Sequence, residues 1–335
     1  MTLFNNKRPE RILGVGNALV DVMIALENDE LLLRFGLPRG SMTLVNSHLS
    51  AEIFEATRPW HQQMTTGGSA ANTIHTLATL GAQCGYAGKI SHDELGDLFK
   101  KEFSEKGIIT HLGYNQTGTG RVMAMVSTDS ERTMATYLGA AAELRSEDFT
   151  PELMKAYDCI YVEGYLVQDH TLIETILKTG HEAGLIVAID LSSYNIVEQN
   201  RDFLSHLISR YTDIVFANEE EAQAYTGLAP EQAAEAIGKQ CALAIVKTGK
   251  TGSLVRFGET LLRIEPVPTI PMDTTGAGDS YSAGFLYGLS QGLSLQKCGE
   301  IASLVSSKAV ETMGAKIPYP SWPELLSKID QITKK

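Results

Sequence analysis

Short apolar runs alternate along the chain with longer stretches whose apolar residues recur every three or four positions, the pattern of strands followed by helices. Residues 11–16 read as a first strand. Residues 69–80 read as a helix, with Ala70, Ile74 and Leu77 on one face and Gly81 just past the end. A strand at 84–88 and a helix at 94–105, closed near Gly107, follow. Further on the rhythm is regular: strands at 159–163, 185–190, 214–217 and 242–247, with helices near 170–183, 197–209 and 219–237. The tail reads as helices at 279–291, at 294–311 and after Pro323. This alternation predicts an α/β fold with a central, mainly parallel sheet flanked by helices.

Two stretches break the rhythm. Residues 18–46 hold strand-like pieces at 19–25 and 41–45 around a polar middle. Residues 119–138 read as a hairpin, 121–127 and 133–138, joined through 128–132. We expect a small β-rich lid, inserted from about 18–46 and 112–140 into one domain spanning 1–335. Such flaps close over substrates and exclude water.

Composition narrows the partners. The 335 residues are 43% hydrophobic and 20% charged, with a formal charge of −12, which speaks against broad attraction to nucleic acid or anionic lipid. No apolar run is long enough to span a bilayer. The basic start (Lys7, Arg8, Arg11) leads into a stretch interrupted by Asn17 and Asp21, which reads as a strand and not as a signal peptide. Cys84, Cys159, Cys241 and Cys298 are scattered, as are the histidines, so no zinc-like spacing is present and reduced thiols in the cytoplasm are expected.

Two familiar-looking motifs fail on inspection. Gly14-Val-Gly16-Asn-Ala-Leu19 follows a strand, but a dinucleotide fingerprint needs a third glycine where Leu19 stands. Gly249-Lys250-Thr251 resembles the end of a P-loop, yet the residues before it, from Ala244, belong to a strand.

The strongest chemical signal is Asp273-Thr-Thr-Gly276-Ala277-Gly278-Asp279-Ser280, directly before an apolar helix. A Gly-Ala-Gly turn admits a ligand close to the backbone, and the first N–H groups of the helix have no intrahelical partner. With the helix dipole these form an anion site. A carboxylate placed there, Asp279, can accept a proton from an attacking hydroxyl while the N–H groups hold a transferred phosphoryl group. From these residues alone, Asp279 or Ser280 as a simple N-cap remains an open alternative. Gly67-Gly68-Ser69-Ala70-Ala71-Asn72 opens another helix and reads as a hinge between lid and core with Asn72 facing the site. Asn218-Glu-Glu-Glu221 stands at the carboxyl end of a strand, where ligands bind in open α/β sheets, although Asn218 also reads as a helix cap.

In this order the elements resemble the PfkB, or ribokinase-like, family of carbohydrate and nucleoside kinases, over roughly residues 11–320. Residues 273–279 match the family's second signature, and residues 67–72 with Gly81 match its first. The resemblance implies ATP and Mg²⁺, Asp279 as general base, and Gly276, Ala277 and Gly278 as the anion hole. It places Asn17, Asp21, Gly67, Gly68 and Asn72 around the substrate. Asn218, Gly249 and Gly252 fall on the nucleotide side, and Glu221 would organise Mg²⁺ through water. Carbonyls at Asp273 and Thr275 match those that surround K⁺ in some members, and both monomers and homodimers occur in the family. Arg132 is either a lid residue reaching the ligands or a solvated hairpin arginine. The stretch Asp190-Leu-Ser-Ser-Tyr-Asn195 departs from the Asp-Pro-Asn-x-Arg of many sugar kinases, whereas residues 16–21, 39–42 and 161–165 look more like bacterial adenosine-kinase-like members. A nucleoside is therefore the preferred substrate, with Phe35, Tyr137 and Tyr165 as aromatic candidates for the base. The alternatives are a free sugar, or a silent regulator that binds without turnover.

Overall fold

β-branched and aromatic residues fill the expected strands, and the helices between them bury one apolar face each. The computed structural model describes residues 8–128 and 131–334, so Lys7 and the Asp129–Ser130 part of the hairpin connection lie outside the described residues. The strands run β1 Arg11–Val15, β2 Leu19–Ala25, β3 Met42–Leu44, β4 His61–Gly67, β5 Gln83–Ser91, β6 Ile109–Asn115 and β7 Gly120–Val126. They continue as β8 Arg132–Tyr137, β9 Cys159–Glu163, β10 Ile186–Asp190, β11 Ile214–Asn218, β12 Leu243–Lys247, β13 Ser253–Phe257 and β14 Thr260–Ile264.

Among the described residues nine strands form the main sheet, in the order β14-β13-β12-β11-β10-β9-β1-β5-β6. From β12 to β6 all pairs are parallel, and β13 and β14 add antiparallel strands at one edge. Alternate residues feed two separate cores, as a sheet covered on both faces requires. Val162, Val187, Val215 and Val246 point into one. Tyr161, Ala188, Phe216 and Ile245 point into the other, where Phe216 packs edge-on against Tyr161 and Phe285.

The lid is a second, five-stranded sheet ordered β3-β8-β7-β2-β4. Period-two alternation sorts β2: Val22 and Ile24 enter a small core with Met123, Met125, Leu32 and Ile53, while Asp21, Met23 and Ala25 face the main sheet across a cavity.

Several sequence expectations change. The lid gains β4, and the expected lid segment 112–140 begins inside β6, which pairs with β5 in the main sheet. The strand at 84–88 extends over β5, and the helix expected at 279 begins two residues earlier, at Ala277. The helix expected over 219–237 is two, Glu219–Thr226 and Pro230–Ile237. Gly227, left-handed at φ 75°, ends the first, and Pro230 sits in the opening turn of the second. No helix among the described residues is long and apolar enough to cross a membrane.

Candidate active site

The strand order reverses at β1: later strands are added on one side as β5 and β6, and on the other as β9 to β12. Open α/β sheets bind ligands at such a switch point, outside the carboxyl ends of the strands. Here the seam is closed by Glu163, the last residue of β9, whose buried carboxylate accepts from Asn17 N at 2.9 Å, Asn17 Nδ2 at 2.5 Å and Ala70 N at 2.9 Å. Gly16 leaves room for it, since a Cβ there would overlap the carboxylate. Desolvation raises the Glu163 pKa to about 7, against the three hydrogen bonds that favour the charged form.

Ala70 belongs to the Ser69–Thr79 helix, whose N-cap Gly68 (φ 98°) offers no side chain. Glu163 therefore supplies the anchor at that helix start. The helix carries Ser69 and Asn72 to Asp279: Ser69 Oγ donates to Oδ1 at 2.7 Å and Asn72 Nδ2 to Oδ2 at 3.1 Å. Asp279 lies in the first turn of the Ala277–Ser290 helix. Desolvation by the surrounding walls raises its pKa to about 6, although Ser69 and Asn72 pull the other way. Asn72 Oδ1 is buried and, among the described residues, has no hydrogen-bond partner, so it presents an unused acceptor beside Asp279.

Gly276 takes the left-handed conformation (φ 71°) and lies against the backbone of Ala315, whose Cα would be 2.7 Å from an added Cβ. Glycine is thus required there by conformation and by space alike. The N–H groups of Gly278 and Asp279, in the opening turn, have no intrahelical acceptor.

Behind this turn, Asp190 Oδ2 accepts from Lys247 Nζ at 2.9 Å, Ser282 Oγ at 3.1 Å and Tyr161 OH at 3.3 Å. Asn218 and Glu221 form a reciprocal capping box, each backbone N–H bonded to the other's side chain. Desolvation and the nearby Asp190 raise the Glu221 pKa to about 7.

Asn17, Asp21, Gly68, Asn72, Thr275 and Asp279 all line one cavity of about 1420 Å³ between lid and sheet. Gly67 backs Asp21, because a Cβ there would overlap its carboxylate. Desolvation raises Asp21 to about 6, partly offset by Lys316 and Arg132. Asn218, Gly249 and Gly252 are not among the lining residues; the two glycines bracket the turn after β12, both with positive φ. Of the aromatic candidates, Tyr165 lines the cavity, Phe35 packs against the lid core, and Tyr137 OH donates to the Thr117 carbonyl at 2.8 Å. Arg132 is no solvated arginine: it pairs with Asp273 Oδ2 at 2.5 Å and donates to Thr275 Oγ1 at 2.5 Å, tying the lid to the loop before the glycine turn. The Asp273 carboxylate is further committed to Thr275 Oγ1 and Gly314 N, both at 2.7 Å.

Sequence reasoning missed Glu163, Lys247 and Lys316. Lys316 Nζ reaches Glu102 Oε2 and Thr65 Oγ1, both at 2.6 Å, and Thr66 Oγ1, joining β4 to the core beside Asp21. Glu163 and Lys247 carried one readable signal: a charged residue closing an apolar strand on the carboxyl side of a parallel sheet.

Known proteins bear on the same reading. A family model described as pfkB family carbohydrate kinase matches residues 52–322. The solved structure of adenosine kinase from Sinorhizobium meliloti superposes with a TM-score of 0.85 at 32% identity, covering 96% of this chain and 99% of that one. A probable sugar kinase from Rhizobium etli superposes at 0.84 with 30% identity, covering 97% and 99%. A 5-dehydro-2-deoxygluconokinase from Geobacillus thermodenitrificans is 24% identical over 301 residues, 83% of this chain and 89% of that protein. The chain belongs to the pfkB family of carbohydrate kinases and is a sugar or nucleoside kinase that draws its phosphoryl group from ATP.

Proposed function

We propose that the chain phosphorylates the hydroxymethyl group of a nucleoside, with Asp279 as general base. The observation that carries this reading is Asp279, fixed by Ser69 and Asn72 where it lines the lidded cavity, directly after a glycine turn that itself lies outside the cavity lining. A substrate hydroxyl can donate its proton to Asp279, and the unused Asn72 Oδ1 beside it can accept from a second donor on the substrate. As the hydroxyl oxygen forms its bond to the γ-phosphorus, its proton passes to Asp279. The bond from that phosphorus to the ADP oxygen breaks, and its electron pair leaves with ADP. The N–H groups of Gly278 and Asp279 receive the non-bridging oxygens.

Asp21 and Asn17 suit the sugar hydroxyls. Leu138, Ala141, Tyr165, Leu166 and Ile196 offer an apolar wall for a base, and the cavity exceeds what a monosaccharide fills. The likeness to an adenosine kinase at 32% identity supports the same choice. A free sugar is the second reading, because a curated relative is named a 5-dehydro-2-deoxygluconokinase.

Among the described residues no three His, Cys, Asp or Glu side chains are grouped to hold a metal alone. Lys247 pairs with Asp190 and feels the charges of Glu221 and Asp279, an acidic surrounding that fits a hydrated divalent cation approached through Glu221. Mg²⁺ bound there would neutralise phosphate charge. With the Asp273 carboxylate committed, K⁺ would meet only the carbonyls of Asp273 and Thr275.

The test is ADP formation from MgATP with adenosine, inosine, ribose, fructose and 5-dehydro-2-deoxygluconate, alongside Asp279→Asn. Turnover on a nucleoside, reduced roughly 10²–10⁴-fold in the variant, is expected. Turnover on a sugar alone would reject the nucleoside, and an unimpaired variant would reject the base.

A further inference from the structure

Lys247 ends β12 at the carboxyl edge of the main sheet, with its side chain only 13% exposed. Its ammonium donates to Asp190 Oδ2 at 2.9 Å, and among the described residues no second acceptor takes its other protons. An ammonium carries three donors. On its far side lies the glycine turn: a Cβ on Gly278 would stand 3.2 Å from Nζ.

Asp190 does not depend on this lysine alone for its hydrogen bonds. Tyr161 OH, Ser282 Oγ and Ser192 N already donate to its two oxygens. Burial alone would lower the ammonium pKa, yet Asp190, Glu221 and Asp279 together hold it above its ordinary value. The result is a fixed, desolvated cation beside the N–H groups of the glycine turn. Prearranged positive charge in such a water-poor place stabilises developing anionic charge far better than it would in water.

We propose that Lys247 is a catalytic residue, whose Nζ contacts a non-bridging oxygen of the phosphoryl group in transit over Gly276–Gly278, aimed there by Asp190. The assignment rests on the phosphoryl transfer described above. In that step the proton goes to Asp279 and the electron pair leaves with ADP. Lys247 gains and loses no proton; it balances charge spread over the equatorial oxygens.

The competing role is neutralisation of Asp190 alone, and a double variant separates the two. Lys247→Met and Lys247→Met/Asp190→Asn are compared by thermal unfolding and by ADP formation from MgATP. The acceptor is whichever compound the wild type uses, or water if it uses none of the panel. The single variant should lose stability and roughly 10²–10³-fold in kcat. The double variant, with no buried carboxylate to neutralise, should regain its melting temperature yet stay slow by the same factor, with the acceptor KM little changed. A double variant with kcat near wild type would overturn the proposal. Should it not fold, Lys247→Gln keeps a donor for Asp190 without the charge: slow turnover supports the assignment and near-wild-type turnover ends it. Asp279→Asn reports on the base independently, so failure of that reading is separable.

Discussion

Asp279 can take a proton only when ionised, and a pKa of about 6 sets where that fails. kcat/KM should fall about tenfold per pH unit below roughly pH 6. Stability runs the other way. Asp21, Glu163, Glu221 and Asp279 all have folded pKa values above their ordinary ones, about 6 to 7. Their stabilising contribution is full below the unfolded values, near 4, and is lost as pH rises through 6 to 7. Melting temperatures of the ligand-free protein should therefore rise from pH 8 to about 5 while activity drops. A parallel fall of both would contradict these shifts. At this scale the sequence was legible where chemistry is local: glycine turn, acid and helix start stand within eight consecutive residues. Glu163 was not, because its partners Asn17 and Ala70 lie 146 and 93 residues away, and one glutamate after an apolar strand resembles any surface-facing strand end.

The Ser69–Thr79 helix links one buried carboxylate to the proposed base, since Glu163 holds its first turn and that turn holds Asp279. Glu163→Ala strands the N–H groups of Asn17 and Ala70, which should cost about 1–3 kcal/mol in urea unfolding. It should also lower kcat, as Ser69 and Asn72 lose their placement; Glu163→Gln, keeping one acceptor oxygen, should fall between. Unchanged kcat in the alanine variant would show that the helix start is fixed by other contacts. Most main-sheet strands were readable because burial on both faces makes them continuous apolar runs. β4, His-Gln-Gln-Met-Thr-Thr-Gly, was not: it is an edge strand of the lid with a polar sequence. The break at Gly227-Leu-Ala-Pro230 was written in the sequence, a glycine stop followed by a proline start, but the apolar spacing carries through it.

The molecule as a whole is two sheets clasped across a cavity, and the clasp is ionic. Arg132 bonds the lid to the Asp273–Thr275 loop, and Lys316 bonds β4 to Glu102. Arg132→Met should speed amide exchange in β7 and β8 while leaving β9 to β12 protected, and should raise the substrate KM. Equal exchange in both forms would mean the lid is held elsewhere. Asp279 receives its two hydrogen bonds from residues 210 and 207 positions earlier. During synthesis the chain acquires Asn17, Asp21 and Asn72 more than 200 residues before Asp279, the carboxylate proposed to remove the proton. On the proposed mechanism, a polypeptide still leaving the ribosome holds its substrate residues long before it gains the base that would let it spend ATP.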